Sequence, residues 1–256
     1  MISKNLIKYV RSLELKKVRK RERAFVAEGP KIVGELVKKH KPLRIIATED
    51  WFSSSHFVKR EDDILVTEEE LRRVSFLQHP QQVVGVFPLP EVKLNSFNTN
   101  NDVLLALDGV QDPGNLGTIL RIADWFGITA IVCSPETADV YNPKVVQASM
   151  GSIARVDVVY EDLVSFLNAT PKNTPIFGTF LNGDNMYAQE LSTNGIIVMG
   201  NEGKGISEDV CKLINRRLYI PSFPCDRVTA ESLNVAVATA IVCAEFRRRQ
   251  IVCNSV

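Results

Sequence analysis

Three segments in the second half of the chain concentrate residues that could orient and polarise a ligand. The first is Leu107-Asp-Gly-Val-Gln-Asp-Pro-Gly-Asn-Leu-Gly-Thr-Ile-Leu-Arg121, in which two carboxylates, three glycines, a proline and Asn115 precede Arg121. Its glycines allow backbone to approach a ligand closely, and Arg121 is a fixed cation one to two helical turns beyond Asn115. The second is Gly200-Asn-Glu-Gly-Lys-Gly-Ile-Ser207, where Glu202 stands amid three glycines. A carboxylate presented on nearly bare backbone has a partner to bind. The third is Ile220-Pro-Ser-Phe-Pro-Cys-Asp-Arg-Val-Thr-Ala-Glu-Ser-Leu-Asn-Val-Ala-Val-Ala238, an irregular loop feeding a helix whose first turn holds Ser232 and Asn234. Each segment alone has a plainer reading: an Asn-capped helix with a solvated arginine, a tight turn, and a capped helix. The second is neither a Walker A loop nor the dinucleotide fingerprint, because its glycines fall as G-x-x-G-x-G and no Ser or Thr follows Lys204.

The elements that must carry these segments follow from periodicity. Val103–Leu107 is a fully apolar run, the signature of a parallel strand covered on both faces. Further strands are expected at Ala130–Cys133, Val156–Tyr160, Ile176–Phe180, Ile196–Met199 and Arg217–Ile220. Helices are expected at Asn115–Phe126, Pro143–Met150, Glu208–Ile214 and from Glu231 to about Arg249, where Arg247-Arg248-Arg249 suits a helix C-terminus. Such alternation implies a parallel α/β sheet whose ligand sites gather at the carboxyl ends of its strands. All three segments lie at such ends. The first half reads as a smaller α/β unit, with a Ser3-capped helix, strands at Ala24–Glu28, Leu43–Thr48, Ile64–Thr67 and Val83–Phe87, and a Thr67/Glu70 capping box. The run from Pro88 to Asn101, with two prolines and four asparagines, reads as a linker. The expected organisation is therefore a domain over 1–88, a linker over 89–101 and a second domain over 102–256.

Charge is uneven. Residues 1–23 carry nine cationic and two acidic side chains, +7, which leaves −6 for the remainder of a chain whose net charge is +1. A basic leading segment suits a polyphosphate partner, although a solvated helix face is the bland alternative. Five scattered cysteines, Cys133, Cys211, Cys225, Cys243 and Cys253, and three histidines far from them give no metal-ligand spacing, so reduced thiols and no metal are expected. The longest apolar runs are too short to cross a bilayer and no secretory signal pattern opens the chain, so the expectation is cytoplasmic.

In order and spacing, D-x-V-Q-D-P-G-N-x-G-x-x-x-R, G-N-E-G-x-G-I and I-P…E-S-L-N-V-x-V-A resemble the SpoU–TrmH group of RNA ribose 2′-O-methyltransferases over about Val103–Arg249. More loosely, Phe25-Val-Ala-Glu-Gly-Pro-Lys31 and His79-Pro-Gln-Gln-Val-Val-Gly-Val-Phe87 resemble that group's RNA substrate-binding domain. The resemblance implies a parallel sheet with a deep C-terminal trefoil knot, an arrangement general fold rules would argue against. It implies a homodimer, and S-adenosylmethionine held by Thr179, Phe180, Leu181, Gly200, Asn201, Gly203, Ile220 and Leu233. It assigns Arg121, Asn115, Glu202, Ser232 and Asn234 to catalysis, and Lys16, Lys17, Arg19, Lys20, Arg21, Arg23, Glu28 and Lys31 to RNA. Between Pro221 and Ser232 the chain is longer than the commonest family pattern, with Pro224, Cys225 and Asp226 where a glycine is usual. Ribosomal RNA is the expected substrate. A tRNA ribose methyltransferase and a non-catalytic RNA-binding factor of the same fold are the alternatives.

Overall fold

The structure, a computed structural model, describes residues 2–92, 102–224 and 230–253. The chain divides into two compact units: Met1–Glu91 with Asp139–Arg155, and Val92–Ala138 with Val156–Val256. Asp139–Arg155 thus groups with the first unit, although it falls within the 102–256 range expected for the second domain. Of the expected linker, residues 93–101 lie outside the described residues.

The first unit opens with helices α1 (Lys4–Ser12) and α2 (Lys16–Glu22), and Ser3 caps α1 by accepting from the Leu6 amide. Its sheet pairs β1 (Ala24–Glu28), β2 (Arg44–Ala47), β3 (Ile64–Leu65) and β4 (Val83–Pro88) in the order β1-β4-β2-β3. Helices α3 (Pro30–Lys39), α4 (Glu49–Ser54) and α5 (Glu68–Val74) connect the strands, and the Thr67/Glu70 capping box opens α5. Leu6, Val10, Leu13 and Val18 are buried in one core with Val26, Val84 and Val86. The basic leading segment is therefore a packed helical pair rather than a free arm, because its apolar stripe has a sheet to cover.

That packing corrects two expectations. Arg19 is 2% exposed. Its guanidinium donates to the Leu13 and Glu14 carbonyls at 2.8 and 2.6 Å and pairs with Asp139 at 2.5 Å, so it is not open to a phosphate. Glu28 is buried as well, accepting from the Ser75 hydroxyl and from the Phe76 amide at 2.7 Å, and burial pushes its carboxyl above the usual range. Its place in the motif is structural: it ties β1 to the residues that follow α5. Arg23 and Arg21 are exposed but form ion pairs with Glu91 and Glu22. Lys16, Lys17, Lys20 and Lys31 remain on the solvated surface.

In the second unit six strands form a parallel sheet: β5 (Val103–Leu107), β6 (Ala130–Cys133), β7 (Asp157–Tyr160), β8 (Ile176–Asn185), β9 (Gly195–Met199) and β10 (Arg216–Tyr219), in the order β10-β8-β9-β5-β6-β7. Central β5 and β9 are buried at every position, as a strand covered on both faces must be. Leu104, Ala106, Ile196 and Val198 pack with helix α8 (Leu163–Asn168) through Leu163, Phe166 and Leu167. On β8, Phe177 meets Phe246 of α10 (Val235–Cys253) edge to face at 4.9 Å. Burying an aromatic of this size contributes roughly 2–3 kcal/mol.

Helix α10 continues past the expected end at Arg249, because its arginines serve neighbouring segments rather than its own C-terminus. Arg247 donates to the Phe126 and Gly127 carbonyls and so caps α6 (Pro113–Trp125). Arg249 donates to the Met186 and Tyr187 carbonyls. Arg248 and Arg249 also pair with buried Glu245, holding its carboxyl down at about 2. The fold makes a direct prediction for the first unit. Arg19→Ala leaves the Asp139 carboxylate and two carbonyls without their partner, and is expected to lower the unfolding free energy by roughly 3–5 kcal/mol. Denaturant titration checks this against Lys17→Ala, which should change little.

Candidate active site

The carboxyl ends of β5, β9 and β10 lead into the three segments singled out by sequence. After β5, Asp112 rather than Asn115 caps α6, its carboxylate accepting from the Asn115 amide at 2.7 Å. The Asn115 side chain is thereby released from capping. Its Nδ2 donates to Glu202 Oε1 at 2.9 Å, and its Oδ1 accepts from Asn234 Nδ2 at 2.9 Å. One amide thus joins residues 87 and 119 positions away. Asn234 has a second task, since its Oδ1 accepts from the Ala236 and Val237 amides and caps α10.

Two more contacts hold the first and second segments together. Asp108 accepts from the Ser207 amide at 2.7 Å, and Asn201 Nδ2 donates to the Gly109 carbonyl at 2.7 Å. Asn201 Oδ1 also accepts from the Gly203 and Lys204 amides, and Asn201 pairs with Gly205 across a tight loop. The Asn201 side chain is thus committed to shaping its own loop, and its backbone amide and carbonyl both bond Gly205. The requirement for glycine at 200 is steric: an added Cβ would lie 2.3 Å from the Gly205 carbonyl carbon.

The strand end at Thr179–Leu181 has a distinct geometry. Arg217 pairs with Gly178, but the next residue, Leu218, pairs with Asp184, so Thr179–Gly183 lie outside the ladder as a protruding stretch. Within it Leu181 is 69% exposed, and the Phe180 ring carries the Arg217 guanidinium 3.5 Å from its centroid. Ile220 is half-buried beyond β10, and Leu233 is 50% exposed just before α10. Exposed aliphatic side chains at strand ends, beside backbone left unladdered, fit the apolar walls and free main-chain groups that an adenosine moiety requires.

The structure does not bring every expected residue into the polar network. Arg121 is exposed on α6 and has no hydrogen bond or ion pair among the described residues. It lies six residues past Asn115, which on a regular helix turns its side chain about 120° away. Ser232 is exposed too, and makes no hydrogen bond among the described residues. Of the long loop between Pro221 and Ser232, residues 225–229 lie outside the described residues. Sequence reasoning missed the Asp108 and Asn201 clamps. A carboxylate directly after a buried strand was a signal for the first; the second depends on a distant carbonyl that no local pattern reveals.

Comparison with known proteins decides the family. Residues 102–244 match the SpoU rRNA Methylase family, and residues 4–85 match the MRM3-like substrate binding domain. The chain belongs to the SpoU rRNA methylase family. Among curated SpoU relatives, it is 33% identical over 245 residues to the 23S rRNA (guanosine(2553)-2′-O)-methyltransferase RlmP of Bacillus subtilis, covering 94% of this chain and 95% of that one. A solved TrmH-family structure from Porphyromonas gingivalis is 41% identical, with a TM-score of 0.86 over 97% of this chain and 99% of the other. An AdoMet-bound rRNA methyltransferase from Sinorhizobium meliloti is 27% identical, with a TM-score of 0.83 over 97% and 96% of the two chains. The SpoU match covers all three polar segments.

The Gly200 contact yields a prediction. Gly200→Ala is expected to cost roughly 1–3 kcal/mol, because the added methyl meets backbone that cannot move aside. Gly34→Ala in α3, where an added Cβ meets nothing within 4 Å, is expected to stabilise by about 0.5–1 kcal/mol. Chemical unfolding of both variants against the parent provides the comparison.

Proposed function

We propose that this protein transfers a methyl group from S-adenosylmethionine to the 2′-hydroxyl of a ribose in ribosomal RNA. The observation that carries the reading is the Asn234–Asn115–Glu202 bridge, which gathers the family's three motifs into one polar site at the sheet's carboxyl edge. Family membership and the RlmP relative supply the reaction class.

The cofactor would be held by the Thr179–Leu181 stretch, the Gly200–Gly203 loop, Ile220 and Leu233. When bound, it supplies an electrophilic methyl on a sulfonium sulfur. The chain's own residues must align the ribose and manage charge and a proton. Arg121 carries a planar guanidinium with no hydrogen bond or ion pair among the described residues, so it serves as a clamp on the neighbouring phosphate and the developing alkoxide. The departing hydroxyl proton goes to that phosphate or to water. In the bridge, Glu202 Oε2 and one N–H on each of Asn115 and Asn234 have no partner among the described residues, and these can orient the ribose. Ser232, with no hydrogen bond among the described residues, adds a hydroxyl to the same rim.

Three further features belong to this reading. The chain after β10 threads a loop to form a deep trefoil knot. The strand order supports it, because the chain must return from the sheet edge at β10 to a helix that reaches α6. The protein acts as a homodimer, supported by Trp125 at 84% exposure and Val237 at 48% on α6 and α10. It works in the cytoplasm. Lys16, Lys17, Lys20 and Lys31 would carry the phosphate contacts of the first unit, while Arg19 and Glu28 hold its fold.

Arg121→Ala is expected to lower single-turnover methylation of rRNA by about 100-fold or more, with S-adenosylmethionine affinity unchanged by calorimetry. Retention of parental turnover would remove Arg121 from the mechanism. Mapping 2′-O-methyl positions in total RNA from a deletion strain and its parent separates the RNA classes: loss of a mark in 23S rRNA is the expected result, and loss in tRNA would redirect the assignment.

A further inference from the structure

A cleft of about 680 Å³ lies wholly within the first unit, between the start of α3, the end of β2, α5 and the turn that enters β4. Gln78, His79, Gln81 and Gln82 form one wall of it, and Glu68 and Arg72 of α5 form another. Pro30, Pro80 and Leu71 give it an apolar floor.

Two observations mark the cleft as more than a surface fold. Gln82 adopts φ +50, a left-handed conformation that a glutamine reaches at a cost. That conformation is held by the neighbouring ladder, with the Gln82 carbonyl accepting from the Thr48 amide at 2.9 Å and the Gly29 amide donating to Val83 at 2.9 Å. Thr48 lines the same cleft, is 8% exposed, and keeps its hydroxyl without a hydrogen-bond partner among the described residues. The side chains of Gln78, Gln81 and Gln82 are exposed and make no hydrogen bond among the described residues.

The chemistry of this lining selects its occupant. Three carboxamides each offer paired donors and acceptors, the pattern that reads the edge of a nucleobase. His79 and Arg72 provide planar groups on which an unstacked base can lie. Glu68 accepts from exocyclic amino groups and offsets the charge of Arg72, so the lining favours a neutral base over a charged backbone. We infer that the cleft seats one unpaired nucleobase of the RNA substrate, read by Gln78, Gln81 and Gln82, at a site separate from the methyl-transfer centre. This inference rests on the functional reading above, and it adds to the first unit a base-reading role beyond phosphate contact.

The test compares the parent protein with a Gln81→Ala/Gln82→Gly variant, in which glycine accommodates the positive φ while deleting the carboxamide. The probe is 23S rRNA from a strain lacking the gene, and affinity is measured by filter binding over a range of salt concentrations. The variant is expected to bind about tenfold more weakly, the discrimination of a good base contact. Its salt slope should be unchanged, because neutral side chains release no counterions. Unaltered S-adenosylmethionine affinity shows that the second unit is intact, and His79→Ala gives an independent variant outside the strained residue. Full RNA affinity in both variants, with an active parent protein, overturns the base-reading cleft and leaves the methyltransferase reading standing. A weakened affinity with a shallower salt slope also overturns it, since that result marks a phosphate site. If the parent protein neither binds nor methylates this RNA, the functional reading falls and the cleft's assignment falls with it.

Discussion

The side-chain amide of Asn115 is the constraint on which the second unit's polar site depends. It donates to Glu202 and accepts from Asn234, and thereby fixes the exits of three elements that the sequence keeps far apart. An amide suits this position because it alone carries a donor and an acceptor on one rigid plane. An aspartate there would set a carboxylate against Glu202, and a leucine would leave both partners unpaired. The bridge is possible only because Asp112 takes over the capping of α6. Around it, the Asp108 and Asn201 contacts hold the first two loops in register, and Gly200 lets them close.

Much of this was legible in the residues. The buried runs at Val103–Leu107 and Ile196–Met199 identified central parallel strands, and parallel strands direct loops to one edge. The ordered motifs then named the family, which the match over residues 102–244 bears out. What could not be read was how the polar residues divide their work. Asn234 caps a helix and also bonds Asn115, whereas the sequence set helix capping against a catalytic role for that residue. The stretch at Thr179–Gly183 was invisible because it is set by the register in which β10 pairs with β8, which no local pattern reveals. Arg121 stands outside the bridge, so its proposed role comes from its freedom rather than from a contact.

The first unit shows the opposite relation between charge and use. Its +7 segment looks uniform in sequence, yet burial sorts it. Arg19 lies inside, its two terminal nitrogens bonded to two carbonyls and Asp139, while its lysine neighbours stay wet. A lysine would not replace Arg19 there, since the guanidinium spreads its donors over two terminal nitrogens that reach separated acceptors. Glu28 follows the same logic: a motif residue whose carboxylate fastens β1 to the Ser75–Phe76 turn. Charge at these positions therefore holds the fold together, while the lysines around them stay on the surface.

The claim that the bridged segments form a ribose methylation site is tested most directly by the chemistry of the product. The protein would be incubated with methyl-labelled S-adenosylmethionine and rRNA from a deletion strain, and the RNA then hydrolysed in alkali. A 2′-O-methyl group blocks attack of that oxygen on the adjacent phosphate. The account therefore predicts label in an alkali-resistant dinucleotide, and its loss when Asn115 is replaced by alanine. Label released in mononucleotides would mean base methylation and would contradict the account, as would undiminished incorporation by the Asn115→Ala protein.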